Sequence, residues 1–142
     1  MKKIIAVAAL SLFVFVSANF AADMGYGMFG SNPTVKMEVA KGITGQAGIG
    51  IVSGSGSSTI TMTLVGTSKI QKAGDVDINA GAGFIYTSVA GFNSWTICSL
   101  VGFEKNLSKN LEVGFYVSPL ALSSGSTLSI LSSTYVAAHI YL

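Results

Sequence analysis

The chain contains no arginine, a single cysteine and two prolines, and only 10% of its 142 residues are charged. Each shortage excludes something. One cysteine cannot form a disulfide framework or a multi-cysteine zinc site. An ordinary soluble domain carries about 25% charged residues, so a highly solvated exterior is not available. Disorder is excluded too, because it needs high net charge and few apolar residues, whereas half of this chain is hydrophobic. Lys2 and Lys3 stand at the extreme N-terminus, and the remaining six lysines are matched by six acids. That balance lacks the basic footprint that nucleic-acid binding requires. The length supports one domain.

Residues 1–18 read as a secretory signal peptide. Lys2-Lys3 is the charged start, Ile4 to Val16 the apolar stretch, and Val16-Ser17-Ala18 supplies small residues for cleavage after Ala18. The apolar stretch is shorter than the ~20 residues a spanning helix needs. Residues 19–142 then form the exported domain.

Beyond residue 18 no apolar run approaches spanning length, and apolar residues alternate with small or polar ones instead. Strict alternation marks a strand with two different faces. Ile49 and Ile51 alternate with Gln46, Gly48 and Gly50; Ile60, Met62 and Leu64 with Thr59, Thr61 and Thr63. Val76, Ile78, Phe84 and Tyr86 alternate with Asp77, Asn79, Gly81 and Gly83. Trp95, Ile97 and Phe103 alternate with Cys98 and Glu104, and Val113 and Phe115 with Glu112, Gly114 and Tyr116. Val136, Ala138 and Ile140 alternate with Tyr135, Ala137, His139 and Tyr141. Weaker alternation over 20–28 and 35–39 brings the expected total to eight strands.

The second face is glycine, serine and threonine with a few acids, which makes a poor exterior for a soluble sandwich. The opposite assignment fits: large apolar residues outside against lipid, small and polar residues inside a closed barrel. Closure follows because every backbone group must be paired within lipid. Eight strands of about 9–11 residues fit the length, and a larger barrel does not. The expected fold is therefore all-β, an eight-stranded antiparallel up-and-down transmembrane barrel.

Connections alternate in charge. Ala40 to Ile43, Ser68 to Asp75 and Lys105 to Asn110 carry lysines, whereas Phe29 to Pro33, Ser53 to Ser58, Ser88 to Asn93 and Pro119 to Ser126 carry no charge. The first set is assigned to the periplasmic side with both termini, the second to the outside. Tyr26, Phe29, Tyr86, Phe92 and Trp95 are expected in an outer aromatic girdle, and Phe20, Phe103 and Tyr141 in an inner one.

With its leader, alternating strands, short turn Glu104-Lys105-Asn106-Leu107-Ser108-Lys109-Asn110-Leu111 and alternating C-terminal strand, the chain resembles the small outer-membrane β-barrel proteins of the OmpA/OmpX type. The resemblance is architectural. It implies location in the outer membrane of a Gram-negative cell, contact with outer-membrane lipid, and assembly by the outer-membrane machinery through the C-terminal strand. That strand ends Tyr141-Leu142, its aromatic one residue earlier than is usual for the group.

Chemistry is sparse. Gly25-Tyr26-Gly27-Met28-Phe29-Gly30 matches a dinucleotide fingerprint literally, but Ser31-Asn32-Pro33 follows where a helix would have to open. Inward glycines such as Gly48, Gly50, Gly81 and Gly83 are better explained by a narrow barrel with little room for side chains. His139 is the only histidine and lies near the periplasmic end, so it reads as a hydrogen-bonded lumen residue rather than a catalytic base. No metal-ligand spacing is present, and no cofactor or enzymatic activity is expected. The polar set expected inside the barrel is Asp23, Lys36, Glu38, Asp77, Glu104, Glu112, Tyr135, His139 and Tyr141. Unpaired buried carboxylates are costly, so these groups are expected to form a hydrogen-bonded plug in the lower lumen. The function expected is a structural or surface role with the lumen plugged. A narrow porin-like diffusion channel using the same acids is the first alternative, and a secreted soluble β-sandwich or lipocalin-like binder the second.

Overall fold

A computed structural model describes residues 24–54 and 57–142. The signal-peptide expectation, Phe20 and Asp23 lie outside the described residues. Eight strands follow one another: β1 (Gly25–Phe29), β2 (Asn32–Ala40), β3 (Ile43–Gly54), β4 (Ser57–Ala73), β5 (Val76–Val89), β6 (Phe92–Asn106), β7 (Leu111–Ser123) and β8 (Thr127–Tyr141). Each pairs antiparallel with its neighbours in sequence order, and β1 pairs with β8 to close the ring. No described helix is long and apolar enough to cross a membrane, which says nothing of strands.

The alternation decides which residues face inward. Leu64, Phe84, Ile97, Phe103, Phe115 and Ile140 are exposed on the outer wall, and Val136 is 64% exposed. Gln46, Thr63, Thr67, Asn79, Glu104, Tyr116, Ser118, Ala137 and His139 are buried inside. Val35 and Met37 of β2 depart from this pattern and are buried. The polarity is thus reversed relative to a soluble sandwich, whose large apolar residues fill the centre.

Short turns join the strands in two sets. Lys41-Gly42, Gly74-Asp75 and the segment 107–110 lie at one end, here the lower end, with the start of β1 and the finish of β8. Tyr141 N donates to Asn110 O at 2.8 Å, fixing β8 beside the β6–β7 turn. The connections 30–31, 90–91 and 124–126 form the upper end, with the finish of β3 and the start of β4, and the sequence of these connections carries no charge.

Two connections are shorter than the sequence suggests. The segment Ser68 to Asp75 is mostly strand: β4 runs on to Ala73, with an irregularity between Lys69 and Gln71, and turns only at Gly74-Asp75. Gly74 there has φ +64°, a left-handed conformation that glycine adopts without a Cβ penalty. Likewise β7 passes through Pro119 to Ser123. The register against β8 shifts between Ser118 and Leu120, which accommodates a residue with no N–H for the ladder. Ser99 spans the neighbouring irregularity in β6: its hydroxyl accepts from Leu120 N at 3.1 Å.

The barrel interior is layered. Phe29, Val65, Cys98, Leu100, Tyr116, Ala121 and Ala137 form an apolar layer, with Tyr135 packed against it. Phe29 was expected in the outer girdle. It points inward instead, stacking on Tyr135 at 4.9 Å between ring centroids and tilting against Tyr116 at 5.4 Å. Above this layer are hydroxyl pairs: Asn32 Nδ2 donates to Thr63 Oγ1 at 2.8 Å, and Thr96 and Ser123 meet at 3.1 Å. Below it lies the charged layer.

Candidate functional site

Lys36 is the centre of the lower layer. It stands on β2, opposite Gln46 of β3 and Gly25 of β1, and its side chain is only 3% exposed. Its ammonium donates to carboxylates carried by two further strands, Glu104 on β6 and Glu112 on β7. Inward positions on β2, β6 and β7 converge only because the ring is narrow. An eight-stranded barrel leaves an interior that side chains just fill.

Each carboxylate has further partners. Glu104 Oε1 also accepts from the Tyr116 hydroxyl, and its Oε2 accepts from Asn79 Nδ2 at 2.7 Å. Glu112 Oε2 accepts from the Tyr141 hydroxyl at 3.4 Å. His139 is fully buried. Its Nε2 meets Thr34 Oγ1 at 3.0 Å, and its Nδ1 lies 3.9 Å from Glu112 Oε1. Lys36, Glu104, Glu112, Asn79, Tyr116 and Tyr141 thus form one connected network of charge-assisted hydrogen bonds, the stronger kind, while His139 is held by Thr34 and its buried Nδ1 has no hydrogen-bonding partner among the described residues. A single ammonium between two carboxylates makes each group dependent on the others, since a buried charge left alone is costly.

Glycines create the space. A β-carbon at Gly102 would stand 2.2 Å from Tyr116 Cδ1, and one at Gly114 3.1 Å from Tyr116 Cε2 and 3.2 Å from Glu104 Cγ. The tyrosine ring therefore lies across Gly102 of the neighbouring β6 and Gly114 of its own strand, and its hydroxyl reaches Glu104 from there.

Of the residues expected in the lumen, Lys36, Glu104, Glu112, His139 and Tyr141 come together. Asp77 sits apart, with its Oδ2 bound to Lys69 at 2.6 Å near the lower rim. Tyr135 belongs to the apolar layer through its stacking on Phe29. Glu38 is exposed and caps the next turn, accepting from Gly42 N at 2.8 Å. The pairing of β2 with β3 becomes irregular between Glu38 and Ala40, so the last residues of β2 leave the inward rhythm. Asp23 lies outside the described residues. The structure adds Thr34, Asn79 and Tyr116. Asn79 and Tyr116 occupy inward positions of the alternation, but as neutral side chains they gave no signal of a charged partner.

The buried Gln46 amide has no hydrogen-bonding partner among the described residues, nor has Asp77 Oδ1. Among the described residues no group of three histidine, cysteine or acidic side chains is placed to hold a metal ion. Cys98 is buried, and its thiol lies 3.6 Å from Gly83 O. The arrangement can neutralise charge and obstruct the lumen. Comparison of the chain with protein-family models, with curated proteins and with solved structures finds no match.

Proposed function

We propose that this chain is an integral outer-membrane β-barrel with a structural or surface role, closed to diffusion by a plug of side chains. One observation carries the reading: the ring exposes Leu64, Phe84, Ile97, Phe103, Phe115, Val136 and Ile140 on its outer wall while Lys36, Glu104, Asn79 and His139 are buried inside. A soluble binder of this size would need the reverse. Lipid solvates such a wall, and ring closure pairs the backbone as hydrocarbon demands. The sequence from Lys2 to Ala18, read as a cleavable leader, supports export. The lysine-bearing turns support a periplasmic lower end and an uncharged outer end.

The plug has two tiers. Phe29, Leu100, Tyr116 and Tyr135 obstruct the middle of the lumen, and the Lys36–Glu104–Glu112 network fills the part below. On this reading the protein carries no substrate and performs no reaction. It occupies the membrane and displays short serine- and glycine-rich turns. The test is fractionation combined with heat modifiability. The protein should stay in the fraction that only detergent releases, and it should migrate differently on SDS gels before and after boiling. Release by carbonate, with no mobility shift, would overturn the assignment.

A further inference from the structure

The closed ring is not equally tall all round. β1 ends at Phe29 and β2 begins at Asn32, so their hairpin turns far below the neighbouring tips. Pairing of β2 with β3 stops at Thr34 and Gly48, and pairing of β1 with β8 stops at Phe29 and Ala137. Gly30 N adds one bond, to Val136 O at 2.8 Å. Asn32 and Pro33 still flank Gly48 and Gly50, where a β-carbon at Gly50 would stand 2.3 Å from Asn32 Oδ1; beyond them, among the described residues, nothing pairs with Ile51–Gly54 on the β2 side of β3, or with Thr127–Tyr135 on the β1 side of β8. The wall therefore has a notch above the β1–β2 hairpin. At about 4.8 Å between strands, the two missing positions leave roughly 14 Å between its flanks. The free length of β3, Ile51–Gly54, is about 13 Å at about 3.3 Å per residue.

Side chains on both faces are open along the notch, as they also are at the strand ends Phe92–Trp95 and Ser68–Ala73. On β3 Ile51 and Val52, which point to opposite faces, are 67% and 70% exposed, and on β8 Ile130 and Leu131 are 75% and 76% exposed. Leu131 has φ +51°, and it falls where the β7–β8 register shifts.

A row of unpaired N–H and C=O groups is a template for another strand, and proteins ordinarily blunt such edges with charge or proline. Neither Ile51–Gly54 nor Thr127–Tyr135 contains a charged residue or a proline. Hydrocarbon cannot satisfy these backbone groups, whereas an extended chain can. Copies of one protein in one membrane share depth and orientation. β3 rises toward the upper end and β8 descends from it. A two-fold axis along the membrane normal then sets the free edge of β3 against the partner's β8, antiparallel, and does so twice. Both open edges are used at once, across gaps of equal width. The flanks must bend outward above the hairpin, which edges without neighbours are free to do.

We propose that the notch is a self-association surface, through which two copies pair β3 with β8 reciprocally in the upper half of the barrel. The inference rests on the membrane reading above. Its test is disulfide cross-linking in phosphatidylcholine–phosphatidylglycerol vesicles, in a Cys98→Ser background. Copies carrying Ile51→Cys alone are mixed with copies carrying Ile130→Cys alone and oxidised. A reducible band at twice the monomer mass should form in the mixture, and faster than in a far-wall mixture of Phe84→Cys with Ile97→Cys copies. Either notch variant alone should give little, because the two-fold axis keeps β3 away from its own copy. Ile51→Lys with Ile130→Lys should return the protein to monomer in sedimentation. Heat modifiability of the same samples reports insertion separately, so loss of the barrel is distinguished from loss of pairing. Cross-linking no faster than the far-wall control, or a monomer at every protein-to-lipid ratio, would overturn the proposal. A lipid or a different protein in the notch would give that same result.

Discussion

The ring of Tyr116 occupies the space that a β-carbon at Gly102 would need, 2.2 Å from Cδ1. Tyr116 is fully buried, so it has nowhere to retreat. Gly102→Ala is expected to destabilise the barrel by ~1–3 kcal/mol, the usual cost of overpacking. Gly66→Ala is the control, because nothing stands within 4 Å of a β-carbon there. Urea unfolding followed by the fluorescence of Trp95, the single tryptophan, compares the two. Equal midpoints would refute the packing account.

Lys36→Met removes the cation from between Glu104 and Glu112. Two buried carboxylates would then face each other, and a loss of ~3–5 kcal/mol is expected, typical of breaking a buried ion pair from one side. The triple variant with Glu104→Gln and Glu112→Gln should recover most of it, since no charge is then left unmatched. If the triple variant unfolds as readily as the single one, the lysine acts by packing and not by charge.

In planar bilayers the purified protein is expected to show no steady conductance, while Phe29→Ala with Tyr116→Ala should open long-lived channels by emptying the middle tier. Steady currents from the unaltered protein that vanish in Glu104→Gln would instead establish the diffusion channel.

Asp75 lies in the β4–β5 turn, fully exposed, with its Oδ2 2.6 Å from Lys105 Nζ. The hydrogen bond from Lys105 holds its carboxyl below the usual carboxylate range, helped by a backbone hydrogen bond in its own turn and by the Lys105 charge. A folded-state pKa below the unfolded one contributes stability that is present above the unfolded pKa and lost as pH falls through the folded one. Asp75→Asn should therefore lower the unfolding midpoint slightly at neutral pH and not at all in strong acid. Salt should shrink the difference, since the pair is exposed. A gap that persists unchanged below the carboxylate range would rule out this ionic origin.

Phe115 lies mid-strand on the outer wall, flanked in register by Phe103 and Val136. Phe115→Lys is expected to disfavour insertion by ~2–4 kcal/mol, as lysine does near a bilayer midplane. Partition between folded and unfolded forms in vesicles measures it. Normal insertion would mean that this wall does not meet lipid.

The alternation made much of the fold legible. A period of two leaves only the question of which face is inside, and residue size together with scarce charge answered it for Phe84, Phe115 and Val136 on one face and Asn79, Glu104 and His139 on the other. The end bearing lysine was legible from the turns. Strand lengths were not, because Ser68–Ala73 and Pro119–Ser123 have turn-like composition, and only pairing with neighbours across the sheet holds them extended. Nor was the identity of Lys36's partners. Glu104 and Glu112 lie 68 and 76 residues further along the chain, and their meeting depends on barrel circumference and strand stagger, which no local pattern encodes. Glu38 misled for the same kind of reason: two residues from Lys36, it shares its parity, but the irregularity beside Ala40 turns it to solvent.

Among the described residues, the first and last strands are joined over Gly25–Phe29, five residue pairs between chain positions more than a hundred apart, with one further bond from Gly30. Every other seam joins strands adjacent in sequence and can form as soon as its own hairpin folds. This clasp must wait until the whole sheet has curled, because its loop-closure entropy is the largest in the molecule. Assembly should therefore end at Gly25–Phe29, and unfolding should start there. Amide exchange in β1 ought to outpace that of β5 and β6, whose shared border runs from Val76 to Val89 without a register shift.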